Sequence, residues 1–112
     1  MKRLLKAWLY SKDGLKAAFS EEPAFRQVVF LCGVSLLGAF FCAHSFIQFV
    51  LLILPGVLCI IVELLNSAIE NAVDFTGTQQ HPLAKKAKDM GSAAQFVCLV
   101  FLIGVWAGYF IF

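Results

Sequence analysis

Charge is what this sequence has least of: 14% of its 112 residues are Asp, Glu, Lys or Arg, and none of these lies between Arg26 and Glu63 or beyond Asp89. A small soluble domain cannot hide most of its atoms from water, so a chain that is 61% apolar with so few charges is not an ordinary soluble globule. A strong excess of one sign is also missing. Nine basic side chains stand against seven acidic ones, giving a formal net charge of +2, and they flank apolar runs, which argues against nucleic acid as a partner. Cys32, Cys42, Cys59 and Cys98 have neither CxxC spacing nor nearby His partners, so they read as small apolar fillers rather than metal or redox groups. GxGxxG is absent. Gly33 and Gly38 have the spacing of a phosphate-binding loop, but Ala39-Phe40 follows where Lys-Ser/Thr is required. Without repeats, low-complexity tracts or linkers, a single domain is expected, and Lys6, Lys12 and Asp13 interrupt any cleavable signal peptide.

What is present is long apolar runs. The 36 uncharged positions after Arg26 would make a helix of about 54 Å against a bilayer core of about 30 Å, so they must cross twice. His44-Ser45, the most polar point within them, is the expected reversal, and Met90 to Phe112 supplies a third crossing. The expected fold class is therefore all-α integral membrane. An amphipathic surface helix covers 1–20, spans cover 27–44, 46–73 (with a cytoplasmic extension) and 90–112, and a cytoplasmic loop covers 74–88. Every Lys and Arg precedes the first span or lies between the second and third, so the positive-inside rule puts the N-terminus and that loop in the cytoplasm. Leu4, Leu5, Trp8, Leu15 and Phe19 share one side of the first helix, with Arg3, Lys6, Tyr10 and Asp13 towards the other. Lys12 falls in the apolar arc and is expected to snorkel, and Glu21-Glu22-Pro23 ends the helix. Gly104 and Gly108 form a GxxxG packing pattern, Pro55 is expected to kink the second span, and Trp8, Trp106 and Tyr109 suit an interfacial belt.

The polar residues inside this frame carry the chemistry. Glu63, Asn66, Ser67, Glu70 and Asp74 follow one another at helical spacing and share one face, which stacks three carboxylates on a single stripe. Carboxylates so close together in a poor dielectric call for positive charge nearby. Lys88-Asp89 returns to the same membrane depth, and Glu70 and Glu22 could offer a divalent cation oxygen ligands from two helices. An acidic stripe, a lysine and a metal at the interface describe a phosphoryl-transfer site, in which ATP would be held by side chains at the membrane surface. The same stripe also fits a polar helix contact or an ion pathway in a small non-enzymatic ion-conducting or assembly protein.

Two blocks, Glu63-Leu64-Leu65-Asn66-Ser67-Ala68-Ile69-Glu70 and Ala87-Lys88-Asp89-Met90-Gly91-Ser92-Ala93-Ala94, resemble the signature of the prokaryotic diacylglycerol kinase family. The likeness extends over nearly the whole chain, including Phe25-Arg26-Gln27 before the first span. The resemblance implies a homotrimeric bundle with sites shared between subunits. It implies an ATP- and Mg²⁺-dependent kinase that converts 1,2-diacylglycerol to phosphatidic acid in a bacterial inner membrane. By matched position, Glu63, Asn66 and Lys88 would be catalytic, Glu63 as general base, and Glu22 and Glu70 would hold the metal. Arg3, Tyr10, Glu22, Glu70, His81, Lys88 and Asp89 would contact ATP, and Arg3, Phe25, Arg26, Glu63, Ser92 and Trp106 the lipid. The chain departs from the pattern in lacking acids at Ala43-His44-Ser45, in having Val28 after Phe-Arg-Gln, and in having Gln79-Gln80 before His81. A sister branch resembling undecaprenol kinase shares the acidic helix, but Met90-Gly91-Ser92 favours the diacylglycerol branch.

Overall fold

The computed structural model describes residues 1–77 and 81–112, so Gln79-Gln80 lies outside the described residues. Four helices follow one another: α1 (Lys2–Glu21), α2 (Pro23–Cys42), α3 (Phe46–Phe75) and α4 (Pro82–Ile111). Each boundary has a local cause. Glu22 is extended, and Pro23, which has no N–H to lose, opens α2 at a first-turn position. At the next reversal the Ser45 hydroxyl accepts from the Gln48 N–H at 3.2 Å and caps α3, while the His44 N–H donates to Gln48 Oε1 at 2.8 Å.

α2, α3 and α4 are each long and apolar enough to cross a membrane. α3 is central and packs against both α2 and α4; α1 lies across α2, with a lighter contact to α3. Leu52, Pro55 and Cys59 of α3 are its largest fully buried side chains. The broad apolar surface left uncovered, from Phe30 and Phe40 on α2 to Val97 and Ile103 on α4, needs a solvent other than water. In lipid that exposure carries no penalty, and a helix pairs most of its backbone groups internally.

One local feature differs from the sequence reading. The stretch read as a loop over 74–88 is helical at both ends, because α3 runs on to Phe75 and α4 already begins at Pro82. The cause is capping: His81 Nδ1 accepts from the Leu83 N–H at 3.0 Å, Pro82 occupies the first turn, and Lys85 pairs with Asp89 one turn on, at 2.6 Å. On α1 the Lys12 ammonium lies 5.6 Å from the centre of the Trp8 ring, a cation–π contact.

At the other end of the bundle, Tyr109 Oη donates to the Cys42 carbonyl at 2.6 Å and fixes the end of α4 to the α2–α3 reversal. One helical turn earlier, the Trp106 indole packs against Gly38, where an added Cβ would stand 3.0 Å from the ring. Gly38→Val is therefore expected to displace the indole and cost about 1–3 kcal/mol. Thermal unfolding together with Trp106 fluorescence in a Trp8→Phe background would measure both effects.

Candidate active site

The carboxylate stripe of α3 is graded from buried to wet. Glu63, Asn66 and Ser67 are buried against the neighbouring helices, Glu70 is half-buried and Asp74 is exposed. Helical spacing put these residues on one face; the antiparallel return of α4 supplies what they meet. Gln95 donates through Nε2 to Glu63 Oε1 at 2.9 Å, and Ser67 Oγ donates to Glu63 Oε2 at 3.4 Å. One turn outward, Asn66 faces Gly91, whose missing side chain leaves room for the amide. The register continues by whole turns, seven residues along each helix, and brings Lys88 opposite Glu70. Lys88 Nζ forms a 2.6 Å ion pair with Asp74 Oδ1.

The electrostatics follow this ladder. Lys88 precedes the apolar run of α4, and the hydrogen bond it donates to Asp74 lifts its ammonium above the ordinary lysine range, with the charges of Asp74 and Glu70 adding to the effect. It is a fixed cation at the outer end of the stripe. Glu63, 6% exposed, has no salt bridge among the described residues. Its two oxygens accept one hydrogen bond each and keep lone pairs for a third partner, so it can take up a proton.

A third element joins from the α1–α2 junction. Asn71 Nδ2 donates to the Ser67 carbonyl at 2.9 Å and reaches Glu22 Oε1 at 3.4 Å, which draws Glu22 to α3 beside the residue that follows Glu70. Among the described residues, no group of three or more His, Cys, Asp or Glu could enclose an ion. Two hard carboxylates suit a cation that takes one or two protein oxygens and completes its shell with water and substrate phosphates, which is the habit of Mg²⁺.

A buried acid under a fixed cation would serve several chemistries, and comparison with known proteins chooses among them. The family model described as prokaryotic diacylglycerol kinase matches residues 9–110. The chain belongs to the prokaryotic diacylglycerol kinase family. It is accordingly an enzyme, a kinase, and the ion-conducting or assembly reading of the stripe gives way. It is similar to the diacylglycerol kinase of Helicobacter pylori, 57% identical over 108 residues, 96% of this chain and 84% of the relative. The diacylglycerol kinase of Pseudomonas aeruginosa is 50% identical over 107 residues, 96% of this chain and 87% of its own. That of Escherichia coli is 42% identical over 104 residues, with 93% and 85% covered.

The structure brings some of the residues matched to the family together and leaves others apart. Glu63, Asn66, Glu70 and Lys88 line one α3–α4 seam, with Glu22 tethered beside it. Asp89 is turned to Lys85, and His81 caps α4. Arg3 and Tyr10 are exposed on α1, and Ser92 is exposed on α4. Phe25 is a core residue at 3% exposure. Arg26 closes the end of α1, its Nη1 donating to the Phe19 carbonyl at 2.7 Å and the Ser20 carbonyl at 3.3 Å. Trp106 lies eleven residues beyond Gln95, about 16 Å along the helix and far from the seam.

Sequence reasoning missed Gln95 and the role of Gly91. The available signal was an isolated amide in the apolar run from Ala93 to Gly108, since uncharged polar groups in a span are there to bond something.

Proposed function

We propose that this kinase transfers the γ-phosphoryl group of ATP to the hydroxyl of 1,2-diacylglycerol, giving phosphatidic acid and ADP at the cytoplasmic face of a bacterial inner membrane. The reading rests on one observation together with family membership. The buried acid and the half-buried cation occupy one helix seam at different depths: Glu63 and Asp74, which holds Lys88, are eleven residues or about 16 Å of helix apart. A lipid hydroxyl can meet Glu63 without leaving the bilayer, and a triphosphate can meet Lys88 from water.

In this mechanism the acceptor oxygen forms a bond to the γ-phosphorus, the bond to the bridging β–γ oxygen breaks, and ADP leaves with the electron pair. Glu63 accepts the hydroxyl proton late in the transfer. Lys88 neutralises charge on the transferring group, and Asn66, between the two levels, orients the reactants. Mg²⁺, when bound by Glu22 and Glu70, would add charge neutralisation on the phosphates. Arg3, Tyr10, His81 and Asp89 would complete the nucleotide contacts, and Phe25, Arg26, Ser92 and Trp106 the lipid contacts, in a homotrimer whose subunits share sites. The N-terminus is assigned to the cytoplasm. α1 would then rest on that membrane surface, which accounts for Leu4, Leu5, Trp8, Leu15 and Phe19 all standing exposed on a helix with one buried residue.

The test is purified protein in mixed micelles with labelled ATP, Mg²⁺ and either diacylglycerol or undecaprenol. Labelled phosphatidic acid is the expected product. Transfer to undecaprenol in preference would overturn the substrate assignment, and release of phosphate to water alone would overturn lipid phosphorylation.

A further inference from the structure

Gln95 is costly to keep where it is. It is 8% exposed within α4, and its Oε1 has no hydrogen-bond partner among the described residues. A leucine would fill a similar volume without stranding a polar atom, so packing does not explain the amide. Its nitrogen, in contrast, is fully used. Nε2 donates to the Cys59 carbonyl at 3.1 Å and to Glu63 Oε1 at 2.9 Å, two acceptors one turn apart on α3. The carbonyl belongs to rigid helical backbone, so anchoring one amide hydrogen there sets the direction of the other. The reversed amide would point its oxygen at both a carbonyl and a carboxylate, which excludes it.

We propose that Gln95 is a positioning residue for proton transfer: it fixes the Glu63 carboxylate through Oε1 and leaves Oε2 as the oxygen that receives the acceptor's proton. This rests on the reading of Glu63 as the base. Oε2 is the freer oxygen, met by the Ser67 hydroxyl at 3.4 Å, near the limit of a hydrogen bond. The charged groups on the neighbouring elements are engaged elsewhere, Lys88 of α4 by Asp74 and Glu22 by Asn71. Cys59 and Cys98, the thiols nearest this level on α3 and α4, are free and carry no acidic or basic partner for Glu63. The amide of Gln95 is therefore the strongest donor on Glu63, and no residue in either family-like block performs this task.

The experiment compares Gln95→Leu, Gln95→Met as a second apolar variant should the first fail to assemble, Ser67→Ala and Glu63→Gln. Each is measured for kcat and for KM towards ATP and diacylglycerol, and those that retain Glu63 also for the rate at which dicyclohexylcarbodiimide, which attacks uncharged carboxyl groups in apolar surroundings, labels it. Loss of the Gln95 donor is expected to lower kcat on the order of tenfold, with both KM values little changed. It is also expected to speed the labelling of Glu63 severalfold, because the carboxylate has lost the donor that favours it. Ser67→Ala is expected to do less of both. An unchanged labelling rate in both Gln95 variants overturns the proposal, whether kcat falls or not, because a purely structural role would not move it. Turnover retained by Glu63→Gln would instead remove the base assignment, and the labelling rate would still decide whether Gln95 orients the carboxylate.

Discussion

Glu63→Gln is expected to lower kcat on the order of 10³-fold while leaving the helices and nucleotide binding in place. The substitution keeps the shape of the side chain and its carbonyl oxygen, so the hydrogen bond from Gln95 Nε2, 2.9 Å in the parent, can persist and the α3–α4 seam has no reason to open. The one property removed is the capacity to take a proton in a water-poor site. Lys88 and the carboxylates Glu22 and Glu70 lie further along the seam or at the α1–α2 junction, so nucleotide affinity should change little. Turnover and equilibrium ATP binding, measured on the same micellar preparation, check both halves. Near-parental phosphorylation by this variant would show that the acceptor loses its proton elsewhere.

Gly91→Ala is the second large expectation. A Cβ built at Gly91 would stand 2.1 Å from Asn66 Oδ1 and 3.1 Å from Asn66 Cγ, so the amide must leave its place or α3 and α4 must part. Moving the side-chain tip is the cheaper response, because separating the helices would also break the contacts of Gln95 and Lys88. Asn66 is 7% exposed with no partner on Oδ1 among the described residues, and the displaced amide has little room to settle. A displacement of about 1 Å at a group that orients reactants is worth on the order of 10²-fold in rate, and that is the loss expected in kcat. Helical content should be retained. In an Asn66→Ser background the clash disappears, so Gly91→Ala should cost little more than Asn66→Ser alone. A full additional penalty in the double variant would show that the glycine serves helix approach rather than the position of Asn66.

The two expectations differ in how far the sequence reveals them. Glu63 stands out in the linear chain because it is the first charge after a long apolar stretch and begins a run of polar residues at helical spacing; periodicity alone places Asn66, Ser67, Glu70 and Asp74 on its face. Gly91 does not stand out. One glycine among eight carries no sign of what opposes it, and the clash with Asn66 exists only because two helices cross at a given register. Gln95 is intermediate: its polarity in an apolar run marks it, but its partners are thirty-two and thirty-six residues away. The start of α4 was misjudged for a different reason. Lys85, Lys86 and Lys88 lower the hydropathy of the segment without lowering its helix propensity, and the cap at His81-Pro82 outweighs their polarity.

The sequence by itself determined that this chain has three long apolar helices, where charge enters and leaves them, and which side chains of α3 share a face. These properties follow from transfer free energy and from the 3.6-residue turn, both local along the chain. The tertiary structure decided which residue each member of that face meets. Gln95 on Glu63, Gly91 under Asn66, Lys88 on Asp74 and Glu22 beside Asn71 all depend on the register and closeness of helices far apart in sequence. Register is a property of packed surfaces as a whole, set by how every side chain along the seam interlocks, and no window of the sequence contains it.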